Sequence, residues 1–277
     1  MGPSEVKNVV HRLDDPKQAR LLAIVLIFVS IAQRFIAMYM QPQVLVEGDD
    51  PHIYHSYAQL ILNGGWPHPF FSPGMPFFLA TVYGIFGVHD WIPAAIMISG
   101  SGPALYWLYR TVSMYYGGRL VGVFVVLLFH LNSQYVAMSN HFWNENVFIL
   151  LLPFALYSFH RSLDPGVDLR SRFLHAIVLG FFLGLMTLFR SWTPALVAAL
   201  TAMIIFSYRS VSVAESLRRI AFLAVSVLFM AAITGGYIYL RSEYSGYRGY
   251  ISSNALDIFV QGNNPYSQGS FTRHFYT

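Results

Sequence analysis

The chain has 277 residues, 55% of them hydrophobic and only 11% charged, with a formal net charge of +4 and a mean hydropathy of +0.49. A soluble domain carries about 25% charged residues, so the composition excludes an ordinary soluble fold and points to a membrane protein. The absence of cysteine removes disulfides, thiolate metal sites and cysteine nucleophiles, and no Lys/Arg run suited to a phosphate backbone is present, which argues against nucleic acid as a partner.

Residues 1–20 are polar and precede an apolar run at 21–40 with no small-residue cleavage site after it, so this run is expected to be retained as a first span. Further apolar segments lie at 74–88, 91–109, 120–138, 142–159, 173–189, 191–208 and 220–240. Runs approaching or exceeding roughly 18 residues suit helices that cross a bilayer, and the short alternating segments of a β-barrel are not seen. Charge decides the count. Basic residues cluster at Lys7, Arg12, Lys17 and Arg20, at Arg110 and Arg119, at Arg161, Arg170 and Arg172, and at Arg209, Arg218 and Arg219. A sparser set follows at Arg241, Arg248 and Arg273. If 74–88 crosses, three of these loops fall opposite the N-terminus, against the positive-inside rule; if it does not, they share its side. Segment 74–88 is also short and carries Pro76 and Gly84.

The expected fold is therefore all-α, a polytopic membrane protein of seven transmembrane helices. A cytoplasmic segment 1–20 leads into a module at 21–240. Its first outer loop, 41–90, carries two short surface helices, and an outer tail, 241–277, follows. The first surface helix has an apolar face at Ile53, Tyr54, Tyr57, Ala58, Ile61 and Leu62, expected to lie on the membrane, with Trp66, Phe70 and Phe71 at headgroup level.

Three acids, Glu47, Asp49 and Asp50, open that helix. Asp50 before Pro51 is a good N-cap, but one cap needs one aspartate. Adjacent carboxylates resist joint ionisation, so one can serve as a base, and oxygen ligands of this kind also suit a divalent cation. The loop "MSNHFWNEN", 138–146, brings His141 and Glu145 to the same side. Arg190, in "LFRSWTP", and Arg241 lie at outer helix ends, where a guanidinium either snorkels to headgroups or holds a phosphate. Arg34 is open to snorkelling as well. Together these residues suit chemistry on a phosphate-bearing lipid. A polytopic transporter or lipid flippase is the alternative, although the spans are nearly free of buried charge and no internal repeat is evident.

Four stretches then resemble, in order, the GT-C superfamily of integral-membrane glycosyltransferases. They are "GDDPHIYHSYAQLILNGG" at 48–65, "SPGMPFFLATVYGIFG" at 72–87, "NENVFILLLPFALY" at 144–157 and the segment 237–265 after the last span. The likeness is to the bacterial and archaeal branch related to protein O-mannosyltransferases and the lipid A aminoarabinose transferase, the glycosyltransferase family 39-like group. The resemblance implies a seven-helix module in the plasma (inner) membrane with its active site on the outer face. It implies a polyprenyl-phosphate sugar as donor and a lipid, glycan or protein acceptor. It implies Asp50 as the catalytic base or acceptor-positioning group with Asp49 beside it, Glu145 and His141 on the acceptor or metal side, and Arg190 and Arg241 at the donor phosphate. Two positions depart from the family's pattern: Pro51 stands where relatives carry Glu, and Ser72 where they carry Lys or Arg. Relatives usually continue with further spans, which leaves a fragment and a minimal enzyme both open.

Overall fold

A computed structural model describes residues 15–42, 45–206 and 212–252, apart from the side chains of Ile205 and Phe206. The described residues form helices and no strand. In chain order the helices are α1 (Pro16–Met40), α2 (Asp50–Leu62), α3 (Gly74–Phe86), α4 (Trp91–Tyr115) and α5 (Arg119–Leu131). Then follow α6 (Ser133–Met138), α7 (Asn144–Leu163), α8 (Leu169–Phe189), α9 (Thr193–Phe206) and α10 (Val213–Ser245). Helix starts are set by short polar side chains that accept from otherwise orphaned backbone N–H groups. Asp15 accepts from Lys17 and Gln18, Asn132 from Tyr135, Asp168 from Ser171 and Ser212 from Glu215.

Contacts sort the helix termini into two ends of one bundle. At one end Arg172, at the start of α8, pairs with Glu215 at the start of α10 and donates to the carbonyl of Ser162 in α7. Tyr115, at the end of α4, donates to Asp164, and Arg20, Arg110 and Arg119 line one cavity. At the other end the Asn140 amide donates to the carbonyl of Gln41 after α1, and Asn144 reaches α2 and α3. Among the described residues, helical legs run between a basic end and an acidic end, with α5 and α6 forming one leg. Among the same residues four helices, α1, α7, α8 and α10, are long and apolar enough to cross a membrane alone. A fifth is added if α3 and α4 count as one span bent by 111°.

Four expectations change. Segment 120–138 is not one helix; it breaks at Asn132, whose side chain caps α6. Helix α10 begins at Val213 and continues through Arg241 to Ser245. The apolar face of α2 meets protein, not lipid: Tyr54 and Ala58 are buried with Met75, Leu79, Phe142 and Phe189. Trp66 stacks on Tyr237 and Tyr244, two turns apart on α10, at 6.2 and 5.3 Å. Helix α3 stays short and sharply turned from α4, as its proline and length suggest. Lys7, Arg12, Arg209, Arg273 and the end of the 237–265 stretch lie outside the described residues.

Candidate active site

Glu47, Gly48 and Asp49 turn the chain into α2, and Gly48 adopts a φ of 89° that an L side chain resists. Asp50 is the first helical residue, with Asp49 in the capping position, and neither acid makes a side-chain cap bond. This corrects Asp50 as the N-cap. It also separates the two acids: Asp49 is exposed, whereas Asp50 is half-buried. One turn along α2, Tyr54 donates its hydroxyl to Asp50 Oδ2 at 3.4 Å.

The direction of that bond is fixed from below. The Met75 backbone N–H can only donate, and it donates to Asn144 Oδ1 at 3.3 Å. The Asn144 amide nitrogen therefore faces Tyr54 and donates to its oxygen at 2.8 Å. With its oxygen occupied as an acceptor, Tyr54 has its proton for Asp50. Asn144 is buried at the first position of α7. It ties α2, α3 and α7 together behind the carboxylate.

Arg190 reaches the same place from α8. That helix ends at Phe189, and Arg190 leaves it in extended geometry. Its guanidinium pairs with Glu145 Oε1 on the first turn of α7. Phe189 packs directly on Gly74 at the start of α3, where an added Cβ would fall 2.6 Å from the ring. Burial is the main influence on Asp50 and lifts its carboxyl above the usual carboxylate range. The Tyr54 hydrogen bond and the Arg190 charge pull it back, and Asp49 pushes it up. Burial likewise raises the Tyr54 phenol, with Asp50 adding to it, so Tyr54 remains a proton donor in hydrogen bonding.

Asp50, Glu145 and Arg190 thus converge. His141 lies on the same loop as Glu145, but no described contact joins it to any of the three. Its Nδ1 is 3.0 Å from Asn140 Oδ1. The Asn140 amide nitrogen is turned to the Gln41 carbonyl, so His141 Nδ1 carries the proton and Nε2 is left as an acceptor. Burial lowers the histidine's pKa and favours this neutral form. Arg241 is fully buried. It donates to the carbonyls of Tyr250 and Ile251 at 2.7 and 2.9 Å, and to that of Gly249, while facing the rings of Tyr237 and Tyr247. The segment it holds meets Ser191, beside Arg190, through Tyr250 and Ser252. Among the described residues no group of three or more His, Asp or Glu is placed to hold a metal ion.

Sequence reasoning singled out Asp50 but read Tyr54 only as part of an apolar face, although i to i+4 on a helix already puts the two within reach. Asn144 gave no such signal, because its partners are 69 and 90 residues away. A second network was also missed. His55 Nδ1 lies 2.9 Å from the Tyr83 hydroxyl and 3.2 Å from Asp90 Oδ1, and Gln59 meets its Nε2 at 2.9 Å. It fastens α2 to α3 and to the start of α4.

Comparison with known proteins adds one finding. No curated protein and no solved structure matches the chain. The model of a family described as dolichyl-phosphate-mannose-protein mannosyltransferase matches residues 67–237. That stretch contains His141, Asn144, Glu145 and Arg190 and leaves Asp49, Asp50 and Arg241 on its flanks. It covers more than half of an all-helical chain with several membrane-crossing helices, and the chain accordingly belongs to this family of membrane glycosyltransferases.

Proposed function

We propose that the protein transfers a sugar, mannose by the family's description, from a polyprenyl phosphate to a hydroxyl acceptor at the outer membrane face. The observation that carries this reading is a half-buried carboxylate, Asp50, close enough to Arg190 to feel its charge, with Glu145 pairing that cation at the acidic end of the bundle. A base works best with a pKa drawn toward the operating pH, and burial moves Asp50 that way. The acceptor hydroxyl gives its proton to Asp50, and its oxygen bonds to the anomeric carbon. The bond from that carbon to the phosphate oxygen breaks on the opposite side, inverting the centre. Arg190 holds the departing phosphate, whose negative charge grows as the bond breaks.

The other site residues take supporting places. Glu145 holds Arg190 ready before the donor arrives. Arg241, with its donors on backbone carbonyls, positions the 249–252 segment beside Arg190 in place of touching the phosphate. Asp49 contributes charge from the exposed side, and His141 offers a neutral Nε2 on the acceptor side. The acceptor is a hydroxyl of a protein, glycan or lipid. A divalent cation is not required by these roles. The test uses membranes carrying the full chain and a labelled polyprenyl-phosphate mannose. Asp50→Asn should lower transfer by about 10²-fold or more, and full transfer by the mutant would refute the assignment.

A further inference from the structure

We propose that the cavity at the basic end, between the start of α1, the end of α4 and the start of α5, binds the phosphodiester of an anionic phospholipid with an uncharged headgroup, the phosphatidylglycerol class. The inference stands apart from the transferase reading, because it concerns the end of the bundle away from Asp50. The cavity has a volume of about 400 Å³, and Arg20, Arg110, Ser113 and Arg119 line it. Each of the three arginines bounds an apolar run: Arg20 precedes 21–40, Arg110 follows 91–109 and Arg119 precedes 120–138. In a bilayer that is the depth where headgroups meet hydrocarbon.

These guanidiniums are not taken up by acids of the protein. Arg161, Arg172, Arg218 and Arg219, at the same end, pair with Asp164 or Glu215. Among the described residues no carboxylate lies within ion-pair distance of Arg20, Arg110 or Arg119. Arg20 faces the Tyr106 ring at 5.9 Å, and Arg110 turns to the Met114 sulfur at 4.0 Å. Asp15, close to Arg20 in sequence, is engaged in capping α1 through the N–H groups of Lys17 and Gln18. Arg34, further along α1, is by contrast fully buried and donates to the Ser30 carbonyl, so it neither snorkels nor lines this cavity.

The start of α5 adds neutral donors. Gly117 and Gly118 lead into it at φ of 126° and 101°, and no side chain caps it, so the N–H groups of its first turn are left for an outside acceptor. Gly122 lets that turn sit close on α4: an added Cβ there would fall on Ser113 Oγ and 2.9 Å from the Tyr109 carbonyl oxygen. Ser113 Oγ is itself buried with no hydrogen-bond partner among the described residues. Three guanidiniums, a helix start and an unmet hydroxyl make a set of donors for phosphate oxygens. The neighbouring surface makes the ligand a lipid. Leu21, Val25 and Phe28 form an exposed apolar stripe on α1, and Val121, Phe124 and Leu128 form one on α5. The stripes begin one and two residues after Arg20 and Arg119, so acyl chains have apolar surface leading away from the headgroup. Charge then chooses the headgroup. An ethanolamine would bring an ammonium among three guanidiniums, whereas glycerol adds no cation.

The test follows the melting temperature of the purified full chain in a neutral detergent with three probes: phosphatidylglycerol, phosphatidylethanolamine and inorganic phosphate. Phosphatidylglycerol should raise it by about 5 °C at roughly a hundred times its Kd, and the other two at the same concentration should leave it nearly unchanged. The double variant Arg20→Gln/Arg119→Gln, at two exposed positions, should lose most of the shift, and Arg119→Gln alone a large part of it. Arg170→Gln, exposed at the same end but outside the cavity, should keep it. Each variant is compared with itself without lipid, so a lower starting temperature does not disturb the readout. Equal shifts from the two lipids, an equal shift from inorganic phosphate, or a full shift in the double variant overturns the site. No turnover enters the measurement, so the transferase reading stands or falls separately, on Asp50→Asn.

Discussion

At the scale of single residues, the site is arranged so that one carboxylate stays ionised where burial disfavours it. The chain Met75 N–H to Asn144 to Tyr54 to Asp50 runs in one direction because a backbone amide at its base can only donate. Removing the last donor has a definite sign. Tyr54→Phe takes away an interaction that favours the charged form, so the Asp50 pKa rises further. The low-pH limb of the transfer rate should move to higher pH, with activity several-fold down on the acid side and recovering as pH rises. A limb that stays in place would show that Asp50 is not the titrating base. The same raised pKa has a stability consequence. A carboxyl whose folded pKa exceeds its unfolded one contributes stability below the unfolded pKa and loses it as pH rises through the folded one. At neutral pH an ionised Asp50 is therefore a net cost to the fold. Asp50→Asn should melt at a higher temperature than the wild type while failing to transfer, the trade-off expected of a functional group held against its preference.

At the scale of elements, glycine decides how closely the legs approach. Gly180 and Gly184 lie one turn apart on α8 and face α10. An added Cβ at Gly180 would fall on the Ser226 carbonyl oxygen and 2.6 Å from Phe229 Cβ, and at Gly184 it would fall 2.8 Å from Ile233. The close approach is what lets Ser226 donate to the Ala176 carbonyl across the pair at 2.8 Å, a small-residue seam of the kind that drives helix association in lipid. Gly180→Ala should therefore destabilise the protein by about 1–3 kcal/mol, since the obstacle is backbone and cannot rotate away. Gly235→Ala, on α10 where an added Cβ meets nothing within 4 Å, should stabilise by about 0.5–1 kcal/mol. Thermal unfolding of both variants in the same detergent checks the pair; equal melting temperatures would contradict the seam.

The elements also show what a sequence can carry. The apolar runs marked the legs, because period and length are local properties. The reading of 74–88 as a surface helix rested on its length, its proline and the charge of the loops, and α3 is bent by 111° from α4. What covers a helix face is not local. The periodicity of α2 marked Tyr54, Ala58 and Ile61 as one apolar stripe but could not tell lipid from protein, and α3, α7 and α8 cover it. Nor could residue type show that Arg241 meets backbone carbonyls eight to ten residues downstream.

At the scale of the whole molecule, the balance of charge differs between the two ends of the bundle, although each end also holds charges of the other sign, Asp164 and Glu215 at one and Arg190 and Arg241 at the other. Arg110, Arg119, Arg161, Arg172, Arg218 and Arg219 gather at one end, and Asp49, Asp50, Asp90 and Glu145 at the other. Cationic loops resist translocation, so the proposed function places the basic end on the cytoplasmic side. On that proposal the acidic end, with Asp50, is the outer face, where a lipid-linked donor would present its sugar. Because the native chain has no cysteine, introduced ones report topology without background. Asn63→Cys, exposed just after α2, and Leu169→Cys, exposed at the first position of α8, lie at opposite ends of the bundle. In intact cells a membrane-impermeant maleimide should label Asn63→Cys and spare Leu169→Cys until the membrane is opened. The reverse pattern would put Asp50 on the cytoplasmic side and require a donor that faces inward. Labelling of both before permeabilisation would mean that the legs between them do not separate two compartments.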